Sequence, residues 1–263
     1  MRTPEEILPL CIVEGFVLKL PGELDYKGEY IPFKQKMDLI GGKWTGGKVM
    51  GFKFATDPNE LLGLVKGDTS KVKKESQFFG TPEHVADFML SLVSIYNSDR
   101  VLEPSAGRGA LVEAIRRNTT VDVECYENME INQVFLKKVE GVKFMGGDFL
   151  AANIKEKYDV IIANPPFSNN QDIEHIRKMY TSLKPGGNIV TLASKSWTFG
   201  QQKKQVEFRE WLEEIDAERY EIPAGAFKES GTMVETVCLL LYKSDADTEK
   251  VEQLEVYNTI GLF

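Results

Sequence analysis

Four segments of the chain combine carboxylates, glycines and an amide in patterns that could act on a small ligand. The first is Val101-Leu102-Glu103-Pro104-Ser105-Ala106-Gly107-Arg108-Gly109-Ala110-Leu111. A short apolar run passes into a glycine turn and then a helical pattern, which brings backbone close to a ligand above a strand end. The third glycine of G-x-G-x-x-G is missing. Glu103 on the approach to the turn would repel a pyrophosphate, whereas it suits a ligand that carries an ammonium or sulfonium. The second segment, Cys125-Tyr126-Glu127-Asn128, puts an acid 24 residues after Glu103, where a carboxylate can accept both ribose hydroxyls of a nucleoside. In the third, Gly146-Gly147-Asp148-Phe149-Leu150, Asp148 could accept from an adenine amine and Phe149 could cover the ring. A plain helix N-cap fits Asp148 equally well.

The fourth segment is Tyr158-Asp159-Val160-Ile161-Ile162-Ala163-Asn164-Pro165-Pro166-Phe167. Two prolines remove two N–H donors and stiffen the exit from a strand. A carbonyl on that stiff segment and the Asn164 side-chain oxygen are two acceptors that can converge on one small donor group. An exocyclic NH2 has two protons to give, and Phe167 supplies a face on which a flat ring can stack.

The elements that must hold these segments are legible as alternation. From residue 78 onward, apolar runs (Val101-Leu102, Val121–Tyr126, Val142–Met145, Val160–Ala163, Asn188–Ala193, Val234–Tyr242) alternate with helical patterns (Glu83–Tyr96, Ala110–Arg117, Gln133–Val139, Asp172–Leu183, Lys204–Ile215). Continuous apolar strands between helices predict a doubly wound α/β domain. Its sheet is mostly parallel and covered on both faces, with the ligand at the carboxyl edge. The first 72 residues read as a small α+β module. It comprises an apolar run Cys11–Leu20, a Pro21-Gly22 turn, an amphipathic segment Phe33–Ile40, glycine-punctuated strands around Lys43-Trp44 and Gly51–Phe54, and a helix opened by Asp57-Pro58. Lys66–Gln77 is polar and reads as the linker, so the catalytic domain is expected over 73–263.

Composition bounds the rest. With 263 residues, 42% apolar and 27% charged, the chain is neither disordered nor a disulfide miniprotein. No apolar run reaches the ~18 residues of a membrane span, and the N-terminus has no basic start before its apolar stretch. A soluble, cytoplasmic protein without a membrane partner is therefore expected. Cys11, Cys125 and Cys238 sit in apolar runs without metal-ligand spacing, and His84 and His175 are the only imidazoles, so no metal site is expected. The net charge of -8 is uneven: +1 over residues 1–75 and -9 over the remainder. That balance gives no support to a nucleic-acid partner, although a local cleft can be positive on an acidic protein.

In this order, Glu103-Pro104-Ser105-Ala106-Gly107-x-Gly109, Glu127, Asp148-Phe149 and Asn164-Pro165-Pro166-Phe167 resemble the signature of S-adenosylmethionine-dependent adenine-N6 DNA methyltransferases. Phe78-Phe79-Gly80-Thr81-Pro82 ahead of the glycine turn, with the Asn-Pro-Pro-Phe segment after it, resembles the gamma order of motifs. The likeness covers roughly 78–243 and includes Leu183-Lys184-Pro185-Gly186-Gly187 and Phe227-Lys228-Glu229-Ser230-Gly231-Thr232. It implies a seven-stranded Rossmann-like sheet and S-adenosylmethionine as cofactor. It places Glu103, Pro104, Ser105, Ala106, Gly107 and Gly109 around the methionine end, with Gly80 and Thr81 opposite. Glu127 and Asn128 would take the ribose, and Asp148 and Phe149 the adenine, with Asn164 also lining the cofactor. Asn164, Pro165, Pro166 and Phe167 would act on the target amine. Phe167, Phe227, Ser230, Gly231 and Thr232 would enclose a flipped base. The implied partners are DNA, duplex or single-stranded, and either a separate specificity subunit or a cognate restriction nuclease. The implied source is a bacterium, a phage or a mobile element.

Family members that read duplex sequence usually carry a further recognition domain, and only about 20 residues, acidic in their charge balance, follow Lys243. Residues 1–72 could serve instead, with Lys43, Trp44, Lys48 and Lys53 touching DNA, or they could be a docking appendage. Alternative substrates with an NH2 on a planar group are an RNA guanine or adenine and a protein glutamine amide. A non-catalytic binding subunit is the reading from another class, although Glu103, Glu127, Asp148 and Asn164 are all present.

Overall fold

The computed structural model describes residues 1–55, 57–63, 80–228, 230 and 234–244. The expected linker Lys66–Gln77, the Phe78-Phe79 pair, Gly231, Thr232 and the acidic stretch after 244 lie outside the described residues. The chain divides into two compact units, Met1–Glu75 and Ser76–Phe263.

The first unit opens with α1 (Pro4–Ile7), capped by Thr3 and Glu6 in a reciprocal box. The apolar run that follows is two strands, β1 (Ile12–Glu14) and β2 (Val17–Lys19), because Gly15 at φ +57° folds it back on itself. Cys11 precedes β1 and is half-buried, whereas burial was expected. After a helical turn (Tyr26–Tyr30) come α2 (Ile31–Leu39), β3 (Lys43–Thr45), β4 (Gly51–Lys53) and α3 (Asn59–Leu62). The helix starts one residue later than expected, so Pro58 and not Asp57 is the N-cap, and Asp57 Oδ1 accepts the Asn59 N–H at 2.9 Å from the residue before it. The sheet order is β1-β2-β4-β3, antiparallel throughout, with Leu18, Phe33, Met37 and Phe52 fully buried.

The second unit alternates strand and helix. Its elements are α4 (Glu83–Ser91), β5 (Val101–Glu103), α5 (Ala110–Arg116), β6 (Val123–Tyr126), α6 (Glu130–Leu136), β7 (Val142–Gly146), β8 (Tyr158–Ala163), α7 (Gln171–Ser182), β9 (Leu183–Ser194), α8 (Ser196–Phe199), α9 (Lys203–Glu214), β10 (Glu218–Glu221) and β11 (Thr236–Tyr242). α4 ends at Ser91, five residues short of expectation, where the chain turns toward a loop in which Asp99 accepts the Tyr96 N–H. The strand β10 (Glu-Arg-Tyr-Glu) has no apolar run to announce it. It lies on the edge and pairs only with β11.

The seven-stranded sheet has the order β10-β11-β9-β8-β5-β6-β7, with β5 through β9 parallel and β11 alone reversed, antiparallel to both β9 and β10. Successive strand residues point to opposite faces. Val101, Val123, Val160 and Ile162 therefore join α4, α5 and α6 in one core layer, while Leu102, Ile161 and Ala163 join α7 and α9 in the other. From β5 the chain winds outward through β6 and β7, then returns to β8 on the other side of β5. The strand order reverses between β5 and β8, and the crevice at their carboxyl ends is where such sheets bind ligands. Among the described residues, no helix is long and apolar enough to cross a membrane.

Candidate active site

β5 delivers Glu103 to the reversal point and β8 delivers Asn164 beside it. The two loops touch directly, since Ser105 Oγ donates to the Asn164 carbonyl at 3.3 Å. Left-handed Gly107 and Gly109 (φ +56° and +93°) turn the chain after β5 into α5, and the Ala106 N–H is held by the Tyr126 carbonyl. A Cβ at Gly109 would lie 2.9 Å from Val139 Cγ2, so this glycine is required for packing the turn against the segment after α6.

Glu103 is 2% exposed, and its Oε2 has no hydrogen-bond partner among the described residues. Burial, helped by the nearby Glu127 carboxylate, pushes its pKa up to about 8. A buried carboxyl with an empty acceptor lacks a cation, and the ammonium of an amino-acid moiety supplies one. Glu127 is also buried, and its pKa is likewise raised by desolvation. Its carboxylate accepts the Gly107 and Met129 N–H groups, each at 2.7 Å, and Asn132 Nδ2 at 3.4 Å. It therefore ties the glycine turn to the start of α6. A carboxylate accepts about four hydrogen bonds, so this bracing leaves capacity for a ribose hydroxyl.

Asp148 is exposed and its Oδ1 accepts the Leu150 and Ala151 N–H groups, but no helix follows it, so the acid closes a turn and the N-cap reading does not hold. Phe149 is placed differently from expectation. It is 2% exposed and packs on Tyr126 and His175 at 5.7 and 6.1 Å, so it anchors Asp148 from within the core and offers no open ring face. Asn128 is exposed beside Gly147.

Around Asn164 the structure gathers more than the four-residue segment. Asn164 Nδ2 donates to Thr81 Oγ1 at 3.1 Å, which orients the amide so that its oxygen is the end turned elsewhere. Ser230 Oγ donates to the Gly80 carbonyl at 2.6 Å, bringing the late segment against the one before α4. Phe167 is partly buried against the same core layer that contains the 3%-exposed Phe227. Asn169 and Asn170 follow in left-handed conformations (φ +55° and +57°), which asparagine tolerates better than most residues.

Two side chains that organise this site, Asn132 and Asp172, were not singled out from the sequence. Asn132 bonds Glu127 and accepts from Arg108 Nε at 3.1 Å. Its signal was a polar residue on the apolar face of a helix just after the strand-end acid. Thr81, read as facing the cofactor, also accepts a hydrogen bond from Asn164 Nδ2. Asp172, fully buried in the first turn of α7, accepts the Ser194 N–H at 2.8 Å and so ties the segment after Phe167 to the end of β9.

Residues 83–222 match the family described as Methyltransferase small domain. The chain belongs to that family. The seven-stranded sheet is the corresponding Rossmann-like fold, and the cofactor is S-adenosylmethionine. Over 113 residues (42% of the chain and 21% of the relative) it is 27% identical to the type II methyltransferase M.HincII of Haemophilus influenzae. Over 107 residues (40% of each) it is 31% identical to a malonyl-[acyl-carrier protein] O-methyltransferase of Calditerrivibrio nitroreducens. The aligned stretches thus span only a fifth to two fifths of these relatives. Its fold is similar to a modification subunit of a putative type I restriction enzyme from Vibrio vulnificus, with a TM-score of 0.52 and 15% identity. That likeness covers 71% of this chain and 48% of the other.

Proposed function

We propose that this methyltransferase acts on the exocyclic N6 amine of adenine in DNA. The observation that carries this reading is the pairing, at one reversal point of the sheet, of Glu103 with Asn164-Pro165-Pro166-Phe167. A cation-seeking carboxyl lies on one strand end and an amine-accepting amide on the next. The similarity to a type II methyltransferase supports it.

Bound S-adenosylmethionine supplies a methyl group on an electrophilic sulfonium. Glu103 would hold the ammonium, Glu127 the ribose and Asp148 the adenine amine of that cofactor. The target amine is conjugated into its purine and is a weak nucleophile. Asn164 Oδ1 and the Pro165 carbonyl, accepting its two protons in roughly tetrahedral directions, would favour sp3 character at nitrogen and hold positive charge as it develops. Such contacts act mainly in the transition state. The two prolines keep that carbonyl from moving, and Phe167 would stack on the base. A base taken from a duplex must be flipped at a cost of a few kcal/mol, partly offset by this stacking. No strong general base is required, in keeping with a site built from carboxylates and an amide.

The test is transfer of labelled methyl to unmethylated duplex DNA, single-stranded DNA, RNA and a protein extract, followed by nucleoside mass spectrometry. N6-methyladenine in DNA is expected. Label confined to RNA or to protein would overturn the DNA assignment in favour of another planar amine. Asn164→Ala should lower transfer by roughly 10³-fold or more while cofactor affinity stays within a few-fold, and near-normal turnover would remove Asn164 from the mechanism.

A further inference from the structure

The acidic residues of the first unit leave one surface uncovered. Between Asp38 and Asp57 there is no Asp or Glu, while Lys43, Lys48 and Lys53 all fall there, in a chain of net charge -8. The structure turns this stretch into the hairpin β3–β4, on the edge of the small sheet. Trp44 and Phe52 face one another across it, their rings 5.1 Å apart, and Phe52 is buried in the unit. By alternation Lys43 and Lys53 share the opposite, exposed face, and they are direct cross-strand partners. Like charges placed opposite each other on neighbouring strands oppose folding.

Elsewhere on that face the charge is compensated, since Lys19 on β2 pairs with Glu14 on β1 at 2.5 Å. Among the described residues, Lys43, Lys48 and Lys53 make no ion pair. The loop that joins the strands carries Lys48 between exposed Gly46-Gly47 and Met50, and a Cβ at either glycine would meet nothing within 4 Å. The tip is therefore bare enough for backbone to approach a rod-like partner closely. On the other face, Trp44 remains 36% exposed and meets Tyr30 edge-on at 5.6 Å. Tyr30 in turn stacks with Tyr26, which is 66% exposed. A two-stranded ribbon with a basic face that no described acid compensates and a bare glycine tip suits a polyanion, and the aromatics on its other face hold the ribbon against the unit.

We infer that the lysine face of the hairpin Lys43–Lys53 is a nucleic-acid contact, with Lys43, Lys48 and Lys53 on phosphates of the backbone. The polyanion relieves the Lys43–Lys53 repulsion, so the same contact that binds also stabilises the ribbon. Lysine contacts to phosphate confer affinity and no sequence preference. The inference rests on the DNA reading for its choice of substrate, but binding and methyl transfer fail separately.

The experiment compares the full chain with its Lys43→Gln/Lys48→Gln/Lys53→Gln variant. Binding of a labelled duplex and of the matching single strand is measured by fluorescence anisotropy between 50 and 200 mM salt. Each phosphate contact contributes about 0.9 to the slope of log affinity against log salt, so the variant should lose roughly 2–3 from the slope and at least ~30-fold in affinity at the lowest salt. The KM for DNA should rise while turnover at saturating DNA and cofactor affinity stay unchanged. The thermal midpoint of the free variant should equal or exceed the parent's, because the substitution removes a repulsive pair and leaves Phe52 and Trp44 in place. Unchanged DNA affinity and slope in the folded variant would overturn the inference, as would a parent protein that binds no nucleic acid. If parent binding is strong and lost in the variant but no adenine is methylated, the catalytic reading fails and the hairpin assignment stands.

Discussion

Two buried glutamates on adjacent strands of the same sheet have opposite fates. Glu124 on β6 is 5% exposed, and it receives Arg100 Nη2 at 2.8 Å, Lys157 Nζ at 2.7 Å and the Tyr158 hydroxyl at 2.9 Å. These donors outweigh desolvation and hold its pKa down at about 2. Glu103 on β5 is buried as deeply, yet among the described residues no cation pairs with it and one oxygen has no partner, and its pKa rises to about 8. Arg100 and Lys157 come from the residues that lead into β5 and β8, at the amino edge, whereas Glu103 ends its strand at the carboxyl edge. Burying a charge costs several kcal/mol unless it is paired. The fold supplies the pairing internally at Glu124, whereas at Glu103 the proposed function gives it to a ligand.

The largest expected effect comes from removing the unpaired charge. Glu103→Gln should weaken S-adenosylmethionine binding by roughly 100-fold, as truncating one partner of a buried ion pair does. In the cofactor-free protein it should raise stability at pH 8, on the order of 1–3 kcal/mol. Isothermal titration and thermal denaturation read the two effects. A variant that loses affinity and also loses free-state stability would break the comparison, because Glu103 would then be structural.

The pH dependence has opposite signs at the two residues. The folded pKa of Glu103 lies above its unfolded value, so the native state holds the extra proton. Its contribution to the stability of the cofactor-free protein is therefore greatest at low pH and falls as pH rises toward about 8. Binding of a cation then releases a proton near neutrality, measurable as a buffer-dependent enthalpy. The folded pKa of Glu124 is depressed, so its contribution is present above its unfolded pKa of ~4.3 and is lost as pH falls toward about 2. Glu124→Gln should cost about 2 kcal/mol at pH 7, discounted because Arg100 is half exposed. It should also flatten the acid limb of the stability curve and leave cofactor affinity nearly unchanged. Equal losses of affinity and stability would show that the amino edge is coupled to the site.

The smallest effect concerns the positioning of Asn164. Thr81→Val removes a hydrogen bond worth about 1 kcal/mol, so kcat should fall roughly 3- to 10-fold with cofactor affinity unchanged, and Thr81→Ser should restore it. A fall in cofactor affinity instead would return Thr81 to the role first read from the sequence.

The strand ends were legible because the parallel strands are mostly apolar, β5 to β8 with one charged residue each, and the residue that closes or follows each must reach the carboxyl edge. Glu103, Glu127, Asp148 and Asn164 were therefore placed correctly along the chain. Strand β10 was not legible, because an edge strand with one partner needs no apolar run. The ionisation state of each acid was decided only by the tertiary structure. In sequence Glu103 and Glu124 are both glutamates in apolar company, and which one meets Arg100 and Lys157 depends on strand order. The same holds for Phe149, an aromatic after a strand-end acid whose core position follows from Tyr126 and His175. It holds also for Thr81, which reaches Asn164 across 83 residues. Local pattern specifies which side chains stand at an edge. Long-range pairing decides which of them are already satisfied, and so which are left for a ligand.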